Sequence, residues 1–293
     1  MSDIDIIIIG SGPAGLSAAI TAKVRKKNIL LLGQSDLSTK LVKAQTINNF
    51  PGFPGVSGKD LEAAFENHLK QMEIEITEAR AAKIYDMGGT FAVQCGQDMY
   101  QAPAVILATG MITQKPFPGE EEFLGKGVSY CATCDAALYP GKTAAVIAYS
   151  KKEEDEAEFL AEYADKVYYI PMYDGADIDN EKIEIINEKP LEMMGTEKLE
   201  ALKTDTEELN VDGVFILRES IAPDYLFPGI EMDGNHVKVD IHMTTSVPGL
   251  FACGDIAGLP YQYIKACGEG NIAALSAVGY LESLRHRENE GKI

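Results

Sequence analysis

The stretch DIDIIIIGSGPAGLSAAITAKVRKKNILLLG, residues 3–33, decides the fold of this chain. Its apolar run from Ile6 to Ile9 is typical of a parallel strand that is covered on both faces. Glycines in GxGxxG spacing follow, then an alanine-rich helix, and then a second apolar run from Ile29 to Leu32. This order of strand, glycine turn, helix and strand predicts the first half of a dinucleotide-binding unit.

The three glycines of this turn have different tasks. Gly10 permits the tight turn, Gly12 lets the backbone approach a pyrophosphate, and Gly15 allows the helix to pack closely on the strand. The first N–H groups of the helix then remain available to bind an anion. A glycine-rich turn without a ligand is the alternative, and the flanking strands and helix disfavour it.

The same unit recurs in AAVIAYSKKEEDEAEFL, residues 144–160, at a shift of 138 positions without a gap. The three glycines correspond, in order, to Ala148, Ser150 and Glu153. The strand at residues 29–32 corresponds to residues 167–170. Two copies predict an α/β protein of two doubly wound, Rossmann-like domains, with the second inserted into the first.

The predicted domain boundaries follow from the segments that complete the first copy. Apolar strands at residues 102–110 and 250–258, and a helical run from Gly268 to Arg285, belong with the N-terminal unit. We therefore expect a first domain at residues 1–112 and 244–293, and a second domain at residues 113–243. A length of 293 residues is consistent with two domains.

Charge and hydropathy restrict the class of partner. The net charge is −19, and residues 113–240 alone hold 29 acidic against 12 basic residues. Such acidity disfavours a nucleic-acid partner, because phosphates would be repelled. The sequence contains no uninterrupted run of about 18 apolar residues, so we expect no membrane span. No basic leader precedes the first strand and the cysteine count is odd, which predicts a cytoplasmic protein.

The segment SYCATCDAALY, residues 129–139, places Cys131 and Cys134 in a CxxC that is followed directly by Asp135. A zinc site would need a second pair of ligands, and the histidines show no ligand spacing. We therefore expect no metal and favour a redox-active cysteine pair. The remaining cysteines lie in apolar or small-residue settings and are predicted to be core thiols: Cys95, Cys253 and Cys267.

The motifs GSGPAG, ILATG, CATCD and a late GD, in this order, resemble the low-molecular-weight thioredoxin reductases over nearly the whole chain. CATCD directly before a nucleotide-type unit is highly specific to that family. The resemblance implies FAD in the first domain, a Cys131–Cys134 disulfide in the second, and a homodimer. It further implies that Cys134 faces the flavin, that Cys131 attacks the partner disulfide, and that Asp135 handles protons.

The resemblance also carries FAD contacts onto four parts of the chain. They are Gly10, Ser11, Gly12, Pro13, Ala14 and Gly15; Lys40 and Asn49; Thr109 and Gly110; and Gly254, Asp255 and Gln262. At Lys40 the chain departs from the family, because TKL stands where the family has a glycine-glutamine-leucine turn.

The second copy departs from the family much further. The family holds NADPH there with a glycine-rich turn and an HRR-type basic cluster. This chain has AYSKKEED for the turn, and IPMYDGADIDN, without any Arg, Lys or His, for the cluster. Side chains at Ala148 and Ser150 obstruct a pyrophosphate, and the carboxylates of residues 153–156 satisfy the helix dipole. We predict that this copy binds no nicotinamide nucleotide and is kept as a scaffold.

A flavin site and a CxxC without a nicotinamide site resemble the ferredoxin-dependent flavin thioredoxin reductases. The resemblance implies that electrons pass from reduced ferredoxin through FAD and the Cys131–Cys134 disulfide to thioredoxin. Two alternatives stay open at this point. One is an FAD disulfide reductase with another non-nicotinamide donor or a thioredoxin-like acceptor, and the other is a flavin redox sensor without turnover.

Overall fold

The structure is a computed structural model that describes residues 4–34, 37, 39–42, 44–111, 116–218, 222–289 and 291. The chain divides into two compact units. The first consists of Met1–Met111 together with Ala222–Ile293, and the second of Ile112–Ile221. The second unit is therefore inserted into the first.

The strands and helices are numbered in chain order. The strands before the insertion are β1 (Ile6–Ile9), β2 (Ile29–Gly33), β3 (Ile76–Glu78), β4 (Lys83–Asp86), β5 (Phe91–Cys95), β6 (Asp98–Ala102) and β7 (Ala104–Leu107). Those of the insertion are β8 (Val128–Ser129), β9 (Thr143–Ala148), β10 (Lys166–Pro171), β11 (Ile183–Ile185), β12 (Pro190–Gly195), β13 (Leu199–Thr204), β14 (Glu208–Asn210) and β15 (Gly213–Leu217). Those after it are β16 (Met232–Asp233), β17 (His236–Val237) and β18 (Leu250–Ala252). The helices are α1 (Pro13–Val24), α2 (Thr39–Val42), α3 (Gly58–Gln71), α4 (Ala132–Asp135), α5 (Glu154–Tyr163), α6 (Pro223–Leu226) and α7 (Tyr263–Asn289).

The first unit is built on a parallel sheet in the order β18-β7-β1-β2-β3. All four side chains of β1 are buried, as the continuous apolar run predicts. Helices α1 and α7 pack together through alanines and glycine. A Cβ on Gly270 of α7 would collide with the Ala14 carbonyl oxygen of α1, so the two helix backbones lie in close contact. Helix α7 begins at Tyr263, five residues before the predicted start, and ends at Asn289.

The second unit repeats this architecture in a parallel sheet of order β11-β10-β9-β15-β8. Its register confirms the internal repeat. Ile9 of β1 lies opposite Leu32 of β2, and the equivalent Ile147 of β9 lies opposite Ile170 of β10. Each residue is thus paired with the residue 23 positions later in both copies, so the predicted pair of doubly wound sheets is confirmed.

Smaller antiparallel sheets complete both units. They are β4-β5-β6 and β16-β17 in the first unit and β12-β13-β14 in the second. Among the helices that the structure describes, none combines the length and apolarity that a membrane span requires.

Residues 222–243 are placed differently from the sequence prediction, which assigned them to the inserted domain. The structure groups them with the first unit. Aromatic contacts explain this, because the ring of Phe227 lies 6.2 Å from that of Phe91, and Lys83 Nζ lies 4.3 Å from the ring of Tyr225. The return crossing consequently falls near residue 221 instead of near Met243. The first predicted boundary, between residues 112 and 113, lies outside the described part of the chain.

A buried ion pair joins the two ends of the inserted unit. Arg218, directly after β15, donates from Nη1 and Nη2 to the two carboxylate oxygens of Glu120 at 2.5 and 2.8 Å. The carboxylate also accepts from the Tyr130 hydroxyl at 2.9 Å and from the Phe117 N–H at 2.8 Å. Both charged side chains are almost fully buried. The rings of Phe117 and Tyr149 each lie 5.7 Å from the guanidinium carbon.

We expect Glu120→Gln to destabilise the inserted unit by about 3–5 kcal/mol, because it leaves the buried Arg218 charge without its counter-ion. The midpoint of urea unfolding measures the change. Glu121→Gln is the matched control, since it removes the same charge from an exposed neighbour. Equal unfolding midpoints for the two variants would show that the pair contributes nothing to stability.

Candidate functional site

The carboxyl ends of three parallel strands bring the predicted FAD contacts of the first unit to one edge. Gly10 follows β1, Thr109 lies two residues after β7, and Gly254 lies two residues after β18. A Cβ on Gly10, whose φ is +116°, would collide with the Ala108 carbonyl oxygen. A Cβ on Gly254 would lie 2.8 Å from that of Ala14. This edge is where doubly wound sheets bind their ligands.

The glycine turn at this edge keeps the geometry of an anion cradle. A Cβ on Gly15 would collide with the Gly10 carbonyl oxygen, so both glycines are required by the fold itself. A Cβ on Gly12 would instead meet nothing within 4 Å. Helix α1 begins at Pro13 without a side-chain cap and without an acidic residue in its first turn. Its first N–H groups are therefore available to a phosphate, and the turn fits the pyrophosphate of FAD.

The other predicted contacts add polar groups. Thr109 Oγ1 is buried without a hydrogen-bond partner in the described part of the chain. The next residue, Gly110, has a φ of +67°, and a Cβ there would extend into open space. Asn49 Nδ2 donates to Gln262 Oε1 at 2.6 Å, which joins two predicted contacts 213 positions apart. An orphaned hydroxyl beside open space is consistent with a bound polar ligand.

The segment that carries Asp255 is tied to helix α7 by two side chains that sequence reasoning missed. Lys265 Nζ donates to the carbonyls of Gly254 at 3.0 Å and Gly258 at 2.5 Å. Glu269 Oε2 lies 3.0 Å from Lys265 Nζ and accepts from the Gly254 N–H at 2.9 Å. The i,i+4 spacing of lysine and glutamate on one helix was the available signal.

Of the predicted FAD contacts, Ser11 has a side chain with defined hydrogen bonds, whereas the side chain of Lys40 is not described. Ser11 Oγ donates to the Gln34 carbonyl at 2.8 Å and accepts from the Gln34 N–H at 3.0 Å. Its hydroxyl thus links the glycine turn to the end of β2. Lys40 lies in helix α2, and its side chain is outside the described part of the chain. The assignment of Lys40 to the cofactor stays a prediction.

In the second unit the CxxC forms the disulfide that the family resemblance implied. Cys131 and Cys134 are joined, with their Cα atoms 5.3 Å apart. Cys131 is the N-cap of the one-turn helix α4, and its Sγ accepts from the Cys134 N–H at 3.1 Å. Ser129 Oγ donates to Asp135 Oδ2 at 2.6 Å and accepts from the Cys131 N–H at 3.1 Å. Ser129, which sequence reasoning missed, therefore couples Asp135 to the redox turn.

The other cysteines are set apart from this chemistry. Burial, with a smaller contribution from Asp98, raises the pKa of the Cys95 thiol to about 12, and burial raises the pKa of Cys267 to about 11. Burial also raises the pKa of Cys253 well above its ordinary value. All three are free thiols that stay protonated near neutral pH. Within the described residues, no cluster of three or more His, Cys, Asp or Glu could hold a metal ion.

The turn of the second copy is filled by the protein's own groups. Strand β9 continues through Ala148, and Ser150 Oγ accepts from the Lys152 N–H at 3.3 Å. A 3-10 turn at Lys151–Glu153 then precedes helix α5. Tyr149, the counterpart of Ser11, packs its ring against the buried Arg218 at this edge. Where the first copy presents open space and free N–H groups, the second presents side chains.

Two of the carboxylates at the start of α5, which the sequence predicted to satisfy the helix dipole, also bind other segments. Glu154 Oε1 accepts from the Tyr173 hydroxyl at 2.7 Å and from the Asp177 N–H at 3.3 Å. It thereby holds the loop that replaces the family's basic cluster. Glu156 Oε2 accepts from the N–H groups of Ala132 and Thr133, at 2.9 and 3.3 Å, and so holds the redox turn.

A protein-family model matches most of the chain. The family model for pyridine nucleotide-disulphide oxidoreductases matches residues 4–148 and 175–270. The unmatched stretch between them, residues 149–174, contains the filled turn and helix α5.

Solved structures and curated relatives agree with this match. Two solved structures of ferredoxin-flavin thioredoxin reductase from Clostridium acetobutylicum are 50% and 48% identical to the chain, with TM-scores of 0.86 and 0.93. The alignments cover 97% and 95% of this chain and 99% and 98% of those structures. A thioredoxin reductase from Aquifex aeolicus is 33% identical over 94% of this chain and 93% of its own length.

We expect Gly12→Ala to weaken FAD binding at least about tenfold, or about 1.4 kcal/mol, because the new methyl group enters the open space of the cradle. Gly12 has φ −74° and ψ 179°, so alanine introduces no backbone strain. Titration of the apoprotein with FAD, followed by flavin fluorescence, measures the affinity.

Gly10→Ala is the contrasting variant. It should lower the thermal stability of the apoprotein itself, because the φ of +116° and the Ala108 carbonyl both exclude a Cβ. Unchanged FAD affinity in Gly12→Ala, with an unaltered melting temperature, would remove the turn from the cofactor site.

Proposed function

The chain belongs to the pyridine nucleotide-disulphide oxidoreductase family, and we propose that it is a flavin-dependent thioredoxin reductase that receives its electrons from reduced ferredoxin. It is an oxidoreductase and uses FAD, as members of this family do. In this proposal the first unit binds FAD and the second unit carries the redox disulfide.

One observation carries the choice of donor. The two sheet edges at which a dinucleotide could bind, one in each unit, differ in their side chains, although the strands of both units pair in the same register. The first edge keeps an open glycine turn and a helix start without a side-chain cap. The second edge has side chains in place of the glycines, with Tyr149 against Arg218 and Glu154 bonded to the loop at Tyr173. A reductase with this arrangement can hold a flavin but needs an electron donor other than a nicotinamide nucleotide. The relatives from Clostridium acetobutylicum, described as ferredoxin-flavin enzymes, support ferredoxin in that role.

In the proposed reaction the protein binds the flavin, transfers protons, and breaks and forms disulfide bonds. The α1 N–H groups and the open turn at Gly12 would hold the pyrophosphate of FAD, and Thr109 Oγ1 would be available as a hydrogen-bond donor. Bound FAD would supply the conversion of single electrons into an electron pair. Two electrons and two protons cleave the Cys131–Cys134 bond to two thiols, and Asp135, held by Ser129, handles protons.

The dithiol then reduces thioredoxin by exchange. The Cys131 thiolate attacks the thioredoxin disulfide and forms a mixed disulfide, with one thioredoxin thiolate as the leaving group. Cys134 attacks Cys131 Sγ, which restores the internal disulfide and releases reduced thioredoxin. The overall step is downhill, because a ferredoxin near about −400 mV and a thioredoxin near about −270 mV differ by roughly 6 kcal/mol for two electrons.

The test compares donors on the FAD-loaded protein under anaerobic conditions. We expect reduced ferredoxin to produce thioredoxin thiols, and NADPH or NADH to act at least about a hundredfold more slowly, about 2.7 kcal/mol in barrier. A thiol reagent counts the product. Cys131→Ser is the control, since it should keep FAD but form no thioredoxin thiols.

Rapid bleaching of the flavin by micromolar NADPH would overturn the proposal. Turnover with reduced flavodoxin but not with ferredoxin would transfer the donor role to that protein. Flavin reduction without any thioredoxin thiols would favour a sensor.

We further propose that the enzyme is a homodimer formed through one face of helix α7. Exposed apolar residues and glycines recur at helical spacing along this face, with the polar Asn271 among them: Ile264, Gly268, Ile272, Leu275 and Gly279. A Cβ on either glycine would meet nothing within 4 Å, so another backbone could approach closely. Ile241, 81% exposed, lies beside this face, because Ser276 donates to the carbonyl of the adjacent His242. An exposed apolar patch of this kind is typical of a protein interface.

Leu275→Glu should weaken self-association at least about thirtyfold, or about 2 kcal/mol, because it buries a charge in the interface. Sedimentation equilibrium measures the dissociation constant. Met87→Glu is the control, since it adds the same charge to an exposed apolar residue between β4 and β5. A monomeric wild-type protein at micromolar concentration would contradict the homodimer.

We place the reaction in the cytoplasm. The unpaired thiols of Cys95, Cys253 and Cys267 and a disulfide that must be reduced in each cycle support a reducing compartment.

A further inference from the structure

The carboxylate of Glu156 occupies the N-terminal end of the redox turn. Its Oε2 accepts hydrogen bonds from Ala132 N–H at 2.9 Å and Thr133 N–H at 3.3 Å. These are the first two residues of helix α4, whose N-cap is Cys131. Glu156 lies in the first turn of the ten-residue helix α5, which packs against α4.

These N–H groups are the ones that would otherwise favour a thiolate at Cys131. In CxxC turns at helix N-termini, N–H groups lower the pKa of the N-terminal cysteine. Among the described residues, the Cys134 N–H donates to Cys131 Sγ at 3.1 Å, whereas the N–H groups of Ala132 and Thr133 are bound to the Glu156 carboxylate. The local field at Cys131 is therefore less positive than an uncovered helix N-terminus would make it.

Backbone N–H groups are the partners of the Glu156 carboxylate. In the part of the chain that the structure describes, no Lys, Arg or His bonds to it. Other ionisable groups near the turn include Asp135 on α4, bonded to Ser129, and Tyr139 on the following 3-10 turn, whose pKa burial and Asp135 raise to about 12. Lys142 Nζ lies 5.2 Å from the ring of Tyr139 and donates to the Leu138 carbonyl, and Lys152 precedes Glu156 by one helical turn. Among the described residues, the groups that bond directly to the two carboxylates are the N–H groups of Ala132 and Thr133 and the Ser129 hydroxyl.

We propose that Glu156 is a positioning residue that fixes the redox turn through two backbone hydrogen bonds and, by its charge, opposes formation of the Cys131 thiolate. A CxxC protein with a strongly stabilised thiolate is an oxidant, because its reduced form is favoured. Opposing that stabilisation keeps the pair reducing. It also keeps the thiol pKa nearer to ambient pH, where an attacking thiol reacts fastest. The inference rests on the proposed disulfide reduction, and it names a residue that tunes this step.

The first experiment measures the ionisation of Cys131 in the Cys134→Ser background, with FAD bound. The pH dependence of alkylation by iodoacetamide is followed by mass spectrometry at Cys131 alone. We expect Glu156→Gln, which keeps an acceptor oxygen but loses the charge, to lower the alkylation pKa of Cys131 by about half to one unit. Glu158→Gln, an exposed position on the same helix, is the matched control and should leave it unchanged.

The second experiment measures the dithiol–disulfide equilibrium in dithiothreitol redox buffers, with both cysteines present. At pH 9, Glu156→Gln should shift the equilibrium three- to tenfold toward the dithiol, which corresponds to about 15–30 mV. At a pH well below both alkylation pKa values from the first experiment the shift should vanish, because neither protein then forms thiolate. A purely structural role would not produce this dependence on pH.

Glu156→Asp separates the charge from the hydrogen bonds, because it keeps the charge on a side chain one methylene shorter. We expect its alkylation pKa to stay close to that of wild type while its thermal stability falls. An alkylation pKa that follows the stability loss, or a Glu156→Gln variant equal to Glu158→Gln, would overturn the proposal. Neither experiment contains ferredoxin or thioredoxin, so the result stands whichever donor and acceptor the enzyme uses.

Discussion

The structure depends on one constraint that appears twice, namely the unpaired N–H groups where a helix follows a buried parallel strand. The first N–H groups of any helix have no partner within it. After β1 the chain leaves them free, because Gly12 has no side chain and the first turn of α1 has no acid. After β9 the chain satisfies them itself, with Ser150 and a 3-10 turn ahead of α5. The same backbone register thus supports a ligand site in one unit and a closed edge in the other.

The closed edge explains why a nucleotide-type unit is kept when its ligand is lost. Helix α5 remains next to the redox turn, and Glu156 from its first turn holds the N–H groups of Ala132 and Thr133. Removing the unit would remove the support of Cys131. The predicted scaffold role therefore rests on a specific contact, the hydrogen bonds of Glu156 to the redox turn. The carboxylates at the start of α5 also interact favourably with the dipole of that helix.

The parts that the sequence predicted are those with a local signature. Strands such as Ile6–Ile9, the glycine turn and the 138-residue repeat follow from periodicity and spacing, and the register of β9 on β10 agrees with them. The pairs that complete the edges have no such signature. Arg218 and Glu120 lie 98 positions apart, and each is an ordinary charged residue in the sequence. The sequence placed the second domain boundary wrongly for the same reason. Residues 222–243 belong to the first unit through tertiary contacts such as that of Phe227 with Phe91, which leave no local signature in the sequence.

Nucleotide binding would be difficult to restore at the edge of the second unit, because Tyr149 packs there against the buried Arg218–Glu120 pair. Restoring glycine at Ala148, Ser150 and Glu153 would reopen the turn, but Tyr149 would still pack on Arg218. Removing Arg218 as well would leave the Glu120 carboxylate buried without its partner, at a cost of several kcal/mol. A buried ion pair of this kind can be lost only as a unit, and each intermediate sequence would be less stable than either end state. The second unit therefore carries the redox disulfide without a nucleotide site of its own, and electrons must reach that disulfide through the flavin of the first unit.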